Sequence, residues 1–238
     1  MTIGVPPNEW VAVAPRRQHF TGRRDRLLHV PPLTRREGRP ARTAKGQEKA
    51  RRCSVAIDTG KWTSDWAIGR EIFNAYEDSR KKELAILCFG DPATPGGFLV
   101  RPVGEALAEY HPNVFGTLEA PVHAGNIAAM WAKHGDLWRN SFLIVIAPKG
   151  GAPENIGFVV PSRAALALPG LPSDIPPTGD IVLYATVFLE GMEEAGVPVN
   201  RHLERRAHQA AHMIVDGVLR FFHKINYDHT LYRRPRKG

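Results

Sequence analysis

Short, uninterrupted apolar stretches alternate along this sequence with segments in which apolar residues recur every three or four positions. Uninterrupted stretches are typical of strands buried on both faces of a sheet. The periodic segments are typical of helices that pack one side onto such a sheet. We expect strands at 84–89, 114–118, 142–146, 156–160 and 181–188. The alternation predicts an α/β fold with three α/β/α layers, in which a mostly parallel sheet carries helices on both faces.

Four segments carry the helical period: 63–77, 99–110, the residues that follow Pro121, and a long stripe over 203–218. Pro102 is expected in the first turn of the second helix, because a proline further along would remove a helical hydrogen bond. Gly135 is expected just beyond the end of the third helix, where glycine is common. Residues 161–179 contain five prolines and are expected to form a long loop.

Positive charge is concentrated at the two ends of the sequence, whose formal net charge is +8. Residues 1–52 contain thirteen lysines and arginines against four acids, a net charge of +9, and residues 233–238 add +4. Residues 53–232 carry the remaining −5 and all of the periodic segments. We therefore expect a flexible, proline- and arginine-rich extension at 1–52, a single α/β/α domain at 53–232, and a basic tail at 233–238.

The basic extension has two interpretations. It could be an arm that binds the phosphates of a nucleic acid, or a solvated tail that lies on the acidic body. No aromatic residues are interleaved with the basic ones in a pattern typical of nucleic-acid recognition. We therefore favour the solvated tail over a nucleic-acid partner.

Several classes of protein are disfavoured by the sequence. The longest apolar run, 142–147, has six residues, whereas a membrane-spanning helix needs about 20, so we expect no membrane partner. The first ten residues contain no lysine or arginine, which is unlike a signal peptide. The two cysteines, Cys53 and Cys88, form no metal-binding motif, and no nucleotide-binding motif is present. We expect a cytoplasmic protein without a metal or other cofactor.

Three segments have an order and spacing that resemble one known family. They are 87–104, beginning Leu-Cys-Phe-Gly-Asp; 115–126, which reads Phe-Gly-Thr-Leu-Glu-Ala-Pro-Val-His-Ala-Gly-Asn; and the strand at 142–146 with Pro-Pro-Thr-Gly-Asp-Ile at 176–181. The segments resemble the YyaC-type sporulation proteins, which are similar in fold to the germination protease and the hydrogenase maturation proteases. The resemblance runs from about residue 65 to the last helix and leaves out the basic extension.

The resemblance implies a phosphorylase/hydrolase-like α/β/α fold and a peptidase of a spore-forming cell that acts on a protein substrate. Its chemistry would use carboxylates at the ends of strands to activate water or hold a metal. The sequence departs from the family at three acid positions. Pro92 and Gly97 stand where the family has aspartates in the loop after the first strand, and Ala147 stands where the 142–146 strand is followed by an aspartate.

A rebuilt site would use the acids that remain. Asp91 and Glu119 each follow a strand and are the candidate catalytic carboxylates, with His123 as base. Asn126 and Lys149 are the candidate substrate-binding residues. Structural roles compete with these assignments, since Asp91 is a common turn residue, and Glu119, His123 and Asn126 could serve the start of a helix.

Three hypotheses about function follow from these residues. The first is a peptidase-like enzyme, and the second is a non-catalytic relative that binds a peptide or partner protein in its strand-end cleft. The third is a nucleic-acid-associated protein that acts through its basic ends. A zinc site at His208 and His212 is disfavoured, because Gln209 replaces the glutamate of that helical motif and both histidines are expected to face water.

Overall fold

One sheet of six strands organises the part of the chain that the structure, a computed structural model, describes, namely residues 55–166, 177–192 and 201–225. The strands are β1 (Ile57–Asp58), β2 (Leu84–Cys88), β3 (Val114–Phe115), β4 (Phe142–Gly151), β5 (Phe158–Ser162) and β6 (Ile181–Leu189). The helices are α1 (Ser64–Ser79), α2 (Gly97–Ala108), α3 (Ile127–Asn140) and α4 (Arg201–Lys224), with a short 3-10 helix at Pro153–Asn155.

The order of the strands across the sheet is β1-β5-β6-β4-β2-β3. The four strands β3, β2, β4 and β6 run parallel to one another, while β5 runs antiparallel to β6 and β1 antiparallel to β5. The carboxyl ends of the four parallel strands therefore lie along one edge of the sheet. That edge is where ligands bind in open α/β sheets.

Alternate residues of each strand point to opposite faces of the sheet and build two separate cores. On one face, α1, α2 and α4 cover side chains such as Ile86, Ile144 and Leu183. On the other face, α3 covers a smaller set that includes Leu87 and Val145. Helices on both faces of a mostly parallel sheet confirm the predicted α/β/α fold.

Aromatic residues fill much of both cores. Phe142 and Phe221 pack on the ring of Tyr76 under the three-helix layer. Trp131 and Trp138 pack edge to face beneath α3, with ring centroids 5.6 Å apart. Because each large ring buries on the order of 150–250 Å², these contacts anchor the two helical layers to the sheet.

The boundaries of two helices differ from the prediction. Gly135 was expected to end its helix, but α3 continues to Asn140, and the continuation buries Trp138 in the core. Gly135 itself is buried against Trp131, where a Cβ would lie 3.1 Å from the indole nitrogen. Pro102 lies in the second turn of α2, since that helix begins at Gly97, earlier than expected.

The strand predicted at 142–146 is five residues longer than expected, since β4 continues to Gly151. Pairing of β4 with β6 continues through Pro148 and Lys149, with an irregularity after Lys149. The carbonyl oxygen of Ile146 accepts a hydrogen bond from Phe89 N. Pro148 lies two residues further along β4, so its backbone also faces β2. The pairing with β2 has already ended at this point, so the missing N–H of Pro148 removes no hydrogen bond from the sheet.

Some predictions fall on residues that the structure leaves out. The extension at 1–52 and the tail at 233–238 lie outside the described residues, as do residues 167–176 of the proline-rich loop. In the described ranges, no helix combines the length and the apolar character needed to cross a membrane.

Candidate functional site

The loops that follow β2 and β3 run side by side at the carboxyl edge of the sheet. Phe89 forms a parallel bridge with Val122, and the amide of Gly90 donates a hydrogen bond of 2.9 Å to the carbonyl of Val122. Asp91 and His123 come directly after these paired residues. The structure thus brings the segments of two predicted catalytic residues together, as expected for neighbouring parallel strands.

Asp91 closes a turn. Its Oδ1 accepts a hydrogen bond of 2.8 Å from the amide of Ala93, and its carbonyl oxygen accepts bonds from both the amide and the hydroxyl of Thr94. These bonds shape the loop that leads into α2. The structural role that the sequence also allowed for Asp91 is therefore present.

Asn126 holds the second loop in place. It occupies the position before the first residue of α3, but its side chain makes no capping bond to the helix. Instead, its Oδ1 accepts a hydrogen bond of 2.9 Å from the amide of His123, and its Nδ2 donates one of 2.7 Å to the carbonyl of Pro121. Both ends of this amide are thus used inside the loop.

The imidazole of His123 is also engaged. Its Nδ1 accepts a hydrogen bond of 3.2 Å from the amide of Gly125. A neutral imidazole that accepts at Nδ1 carries its proton on Nε2. In this arrangement His123 offers a donor to a ligand, and it would have to release Gly125 before Nδ1 could take a proton.

Glu119 and Lys149 stand apart from these two residues. The side chain of Glu119 is exposed on a loop whose backbone is held by Glu105, which accepts a hydrogen bond of 2.6 Å from Leu118 N. Lys149 is half-buried in β4, opposite Thr186. Within the described ranges, neither a hydrogen bond nor an ion pair joins Asp91, Glu119, His123 or Lys149 to another of the four, and no cluster of three metal-binding side chains occurs.

Packing closes two of the three positions where the resemblance leads one to expect aspartates. A Cβ on Gly97 would lie 2.5 Å from the carbonyl oxygen of Pro92, far inside normal contact, so an aspartate there would have to displace backbone. Ala147 is 4% exposed and belongs to the core beneath α3. A carboxylate at this position would be buried among apolar side chains, which is unfavourable without a partner.

Cys88, the last residue of β2, is completely buried. Burial raises the pKa of its thiol to about 12, so the thiol is protonated at neutral pH. Because the thiolate is the reactive form of cysteine, Cys88 serves as a core residue.

An open groove lies beside these loops, between α2 and the N-terminal half of α4. Its volume is about 610 Å³, and we call it the strand-end groove; it is lined by Pro92, Ala93, Thr94, Pro95, Gly97, Phe98, Arg101, Pro102, Glu105, Leu118 and His208. Most of these residues are apolar. Leu118, at 48% exposure, presents one of the larger exposed apolar side chains of the described residues.

The sequence did not reveal this groove, because its walls come from three separate segments. The expectation that His208 faces only water is wrong in part. Its ring packs edge to face with Phe98, with ring centroids 6.3 Å apart, and forms one wall of the groove. His212, one turn further along α4, is exposed as expected.

Comparison with known proteins gives one result at the level of the family. The sequence profile described as protein of unknown function (DUF1256) matches residues 65–217. Neither a curated protein nor a solved structure matches the chain. The matched segment begins in α1, ends in α4, and contains both strand-end loops, so the profile covers well over half of the chain. This protein belongs to the DUF1256 family.

Proposed function

We propose that this chain is a peptidase-like protein that binds a segment of another protein in the strand-end groove without hydrolysing it. The observation that carries the proposal is that the groove is open while the carboxylates expected beside it are missing. The groove is open and mostly apolar. Of the three positions where the family that the chain resembles has aspartates, Gly97 and Ala147 are tightly packed and the third is a proline, Pro92, in the groove wall. A groove that is open but lacks these carboxylates is suited to binding rather than to hydrolysis.

The chemistry of the groove fits a polypeptide ligand. Phe98 and Leu118 offer apolar surface, while Arg101 and Glu105 place opposite charges along the same groove. The wall that carries Leu118 is held in position by the bond from its amide to Glu105. Sites that bind ligands well combine apolar surface with a few fixed polar groups.

The resemblance to the YyaC-type sporulation proteins supports a more specific setting. It favours a role in sporulation, with a protein ligand, in the cytoplasm of a spore-forming cell. The resemblance rests on the segments at 87–104 and 115–126. Both of these segments contribute walls to the strand-end groove.

Selection of a displayed random-peptide library on the full chain tests binding. We expect selected peptides to bind the wild type and to lose at least about tenfold in affinity for Leu118→Glu, because a charge would replace apolar contact surface. The matched control is Val55→Glu, which alters another exposed apolar residue, 73% exposed, outside the groove. Binding in the groove would be contradicted if both variants lost affinity equally, or if the selected peptides bound Leu118→Glu as tightly as the wild type.

Hydrolysis by the remaining acids is the second candidate function. The bridge between Phe89 and Val122, which aligns the loops of Asp91 and His123, favours it. Asp91→Asn and Glu119→Gln keep shape while removing charge, and in a catalytic unit either change removes most of the rate. Mass spectrometry of a selected peptide after incubation with the wild type measures cleavage. If the peptide stays intact, the result supports a protein that binds without hydrolysis. If the wild type cleaves the peptide and each substitution abolishes the cleavage, the protein is a hydrolase instead.

A further inference from the structure

Three titratable side chains line the strand-end groove: Arg101, Glu105 and His208. Two of them are already engaged. Glu105 accepts the hydrogen bond from Leu118 N at its Oε1, and Nε2 of His208 lies 3.9 Å from Oε1 of Glu204, one turn away on α4. The polar atoms that Glu105 and His208 could offer to a ligand are thus partly used by the protein itself.

Arg101 differs from both of them. Its side chain is exposed, and in the part of the chain that the structure describes, its guanidinium makes neither a hydrogen bond nor an ion pair. Other arginines have an acid within reach, as Arg206 does in Asp58, with 3.2 Å between the charged atoms. Because no acid of the described residues takes up its N–H groups, Arg101 presents them to whatever enters the groove.

The face of α2 that carries Arg101 runs along the groove. Phe98, Arg101, Pro102 and Glu105 recur at intervals of three and four residues, so they lie on one side of the helix. At about 1.5 Å per residue, Phe98 and Glu105 are about 10 Å apart along the helix axis. That length accommodates about three residues of an extended chain. A ligand along α2 therefore meets an apolar ring first, then the guanidinium, and then Leu118 beside Glu105.

The walls on either side of the guanidinium are held in place by packing. A Cβ on Gly104 would collide with the carbonyl oxygen of Gly116, so α2 packs directly on the loop that leads to Leu118. At the other end, the ring of His208 packs on that of Phe98. The cation is thus placed between two apolar contacts before a ligand arrives, and such preorganisation lowers the cost of binding.

We propose that the strand-end groove selects protein segments in which an aspartate or glutamate lies between apolar residues, and that Arg101 binds the carboxylate. This inference rests on the proposed peptide binding and names the class of its ligand. A guanidinium matches a carboxylate with two parallel hydrogen bonds, while Phe98 and Leu118 cover the apolar neighbours of the acid. Sites for phosphorylated segments use clusters of arginines. Among the described residues that line the groove, Arg101 is the only basic side chain besides His208.

Two selections from one displayed random-peptide library test the proposal, one on the full wild-type chain and one on the same chain with Arg101→Glu. Each selection discards peptides that bind equally well after Leu118→Ser, which removes apolar contact surface without adding a charge. We expect the peptides kept by the wild type to be enriched in aspartate and glutamate, and those kept by Arg101→Glu in lysine and arginine. Because Arg101 is exposed, its substitution should leave the Tm within a few degrees.

The affinity of one selected acidic peptide measures the contact itself. Arg101→Gln should raise its Kd about fivefold, as expected for the loss of an exposed ion pair, and the difference should shrink at about 0.5 M salt, which screens the pair. An amide in place of the acid of the peptide should raise Kd for the wild type but not for Arg101→Gln. Lys133→Gln is the matched control, since Lys133 is exposed on α3, on the opposite face of the sheet, and should leave Kd unchanged.

The outcomes distinguish this inference from the proposed function. If the kept peptides depend on Leu118 but lack an enrichment in acids, or bind Arg101→Gln as tightly as the wild type, the inference is wrong and peptide binding stands. An equal loss for Lys133→Gln would make the effect one of net charge and would also overturn the inference. If phosphoserine in place of the acid binds at least about tenfold more tightly, the groove is a phosphopeptide site instead. If neither selection keeps a peptide that depends on Leu118, both proposals fail.

Discussion

His111 is buried in the loop between α2 and β3, where 4% of its surface is exposed. Its Nδ1 accepts a hydrogen bond of 3.0 Å from the amide of Asn113, and its ring lies tilted against that of Phe222, with centroids 5.8 Å apart. Asn113 in turn accepts a hydrogen bond from Ile86 N in β2. Burial lowers the pKa of His111 from 6.5 to about 4, which ties the stability of this loop to pH.

Whether acid raises or lowers stability depends on which state, folded or unfolded, protonates His111 at the higher pH. At pH 7 His111 is mostly neutral in both states. As the pH falls below about 6.5, the unfolded chain takes up the proton while the folded protein does so only near pH 4. The free energy of unfolding therefore falls by about 1.4 kcal/mol per pH unit across this window. Between pH 7 and pH 5, His111 should remove about 2 kcal/mol of stability.

His111→Asn tests this prediction while keeping the hydrogen bond. An asparagine oxygen accepts from the amide two residues later in a common turn, so it can replace Nδ1 opposite Asn113. The variant loses ring packing and should be less stable at every pH, but the contribution of about 2 kcal/mol between pH 7 and pH 5 should vanish. Urea denaturation followed by tryptophan fluorescence at both pH values measures the difference.

The control is His212→Asn, which removes an exposed histidine from α4. It should lose as much stability on acidification as the wild type. The reasoning is refuted if His111→Asn loses as much stability between pH 7 and pH 5 as the wild type does.

Three other substitutions or deletions test the packing of the domain. Gly217→Ala should lower the free energy of unfolding by about 2 kcal/mol, measured in urea, because its Cβ would lie 2.6 Å from Cγ2 of Ile68. Gly97→Asp should lower the Tm without creating hydrolysis of selected peptides, because its Cβ would lie 2.5 Å from Pro92 O. Deletion of residues 1–50 should leave the Tm within a few degrees, since every strand and helix described above lies after that segment.

Gly125→Ala serves as the control for the glycine changes. Its nearest contact for a Cβ is the side chain of His123 at 3.1 Å, which can move, so its cost should be smaller. A stable Gly217→Ala would show that α1 and α4 can separate slightly without loss. Peptidase activity in Gly97→Asp would show that the loop can open, and a large fall in Tm after the deletion would show that the extension packs on the domain.

The sequence predicted the layers of this fold well, because long apolar strands and amphipathic helices are local patterns. The core of β4 and the stripe of α4 were both expected within a few residues. The errors arose where tertiary contacts override local preference. The helix continues past Gly135 and so buries Trp138 in the core. Strand β4 continues through Pro148 because β6 pairs with it on the other side. The two-residue strand β1 is too short to produce a pattern.

The site was less accessible to sequence reasoning. The sequence placed Asp91 and Glu119 just past strand ends, but no hydrogen bond joins the two in the structure. The hydrogen bonds of Asp91 and His123 to nearby amides could not be read from residue type alone. The strand-end groove depends on His208 meeting Phe98 across the layer of helices, a contact between residues more than a hundred positions apart. The 56% exposure of Trp66 could not be read from the sequence either, since the same helix carries the fully buried Ile68 and Ile72.

The contact between α1 and α4 has a consequence for synthesis on the ribosome. Ile68 and Ile72 are fully buried, and α4 supplies much of the surface that covers α1. The two helices come from opposite ends of the described chain, so α1 emerges about 140 residues before its partner. Until α4 leaves the exit tunnel, the part of α1 that α4 covers has no native cover. The nascent chain must be shielded there during that interval or risk aggregation.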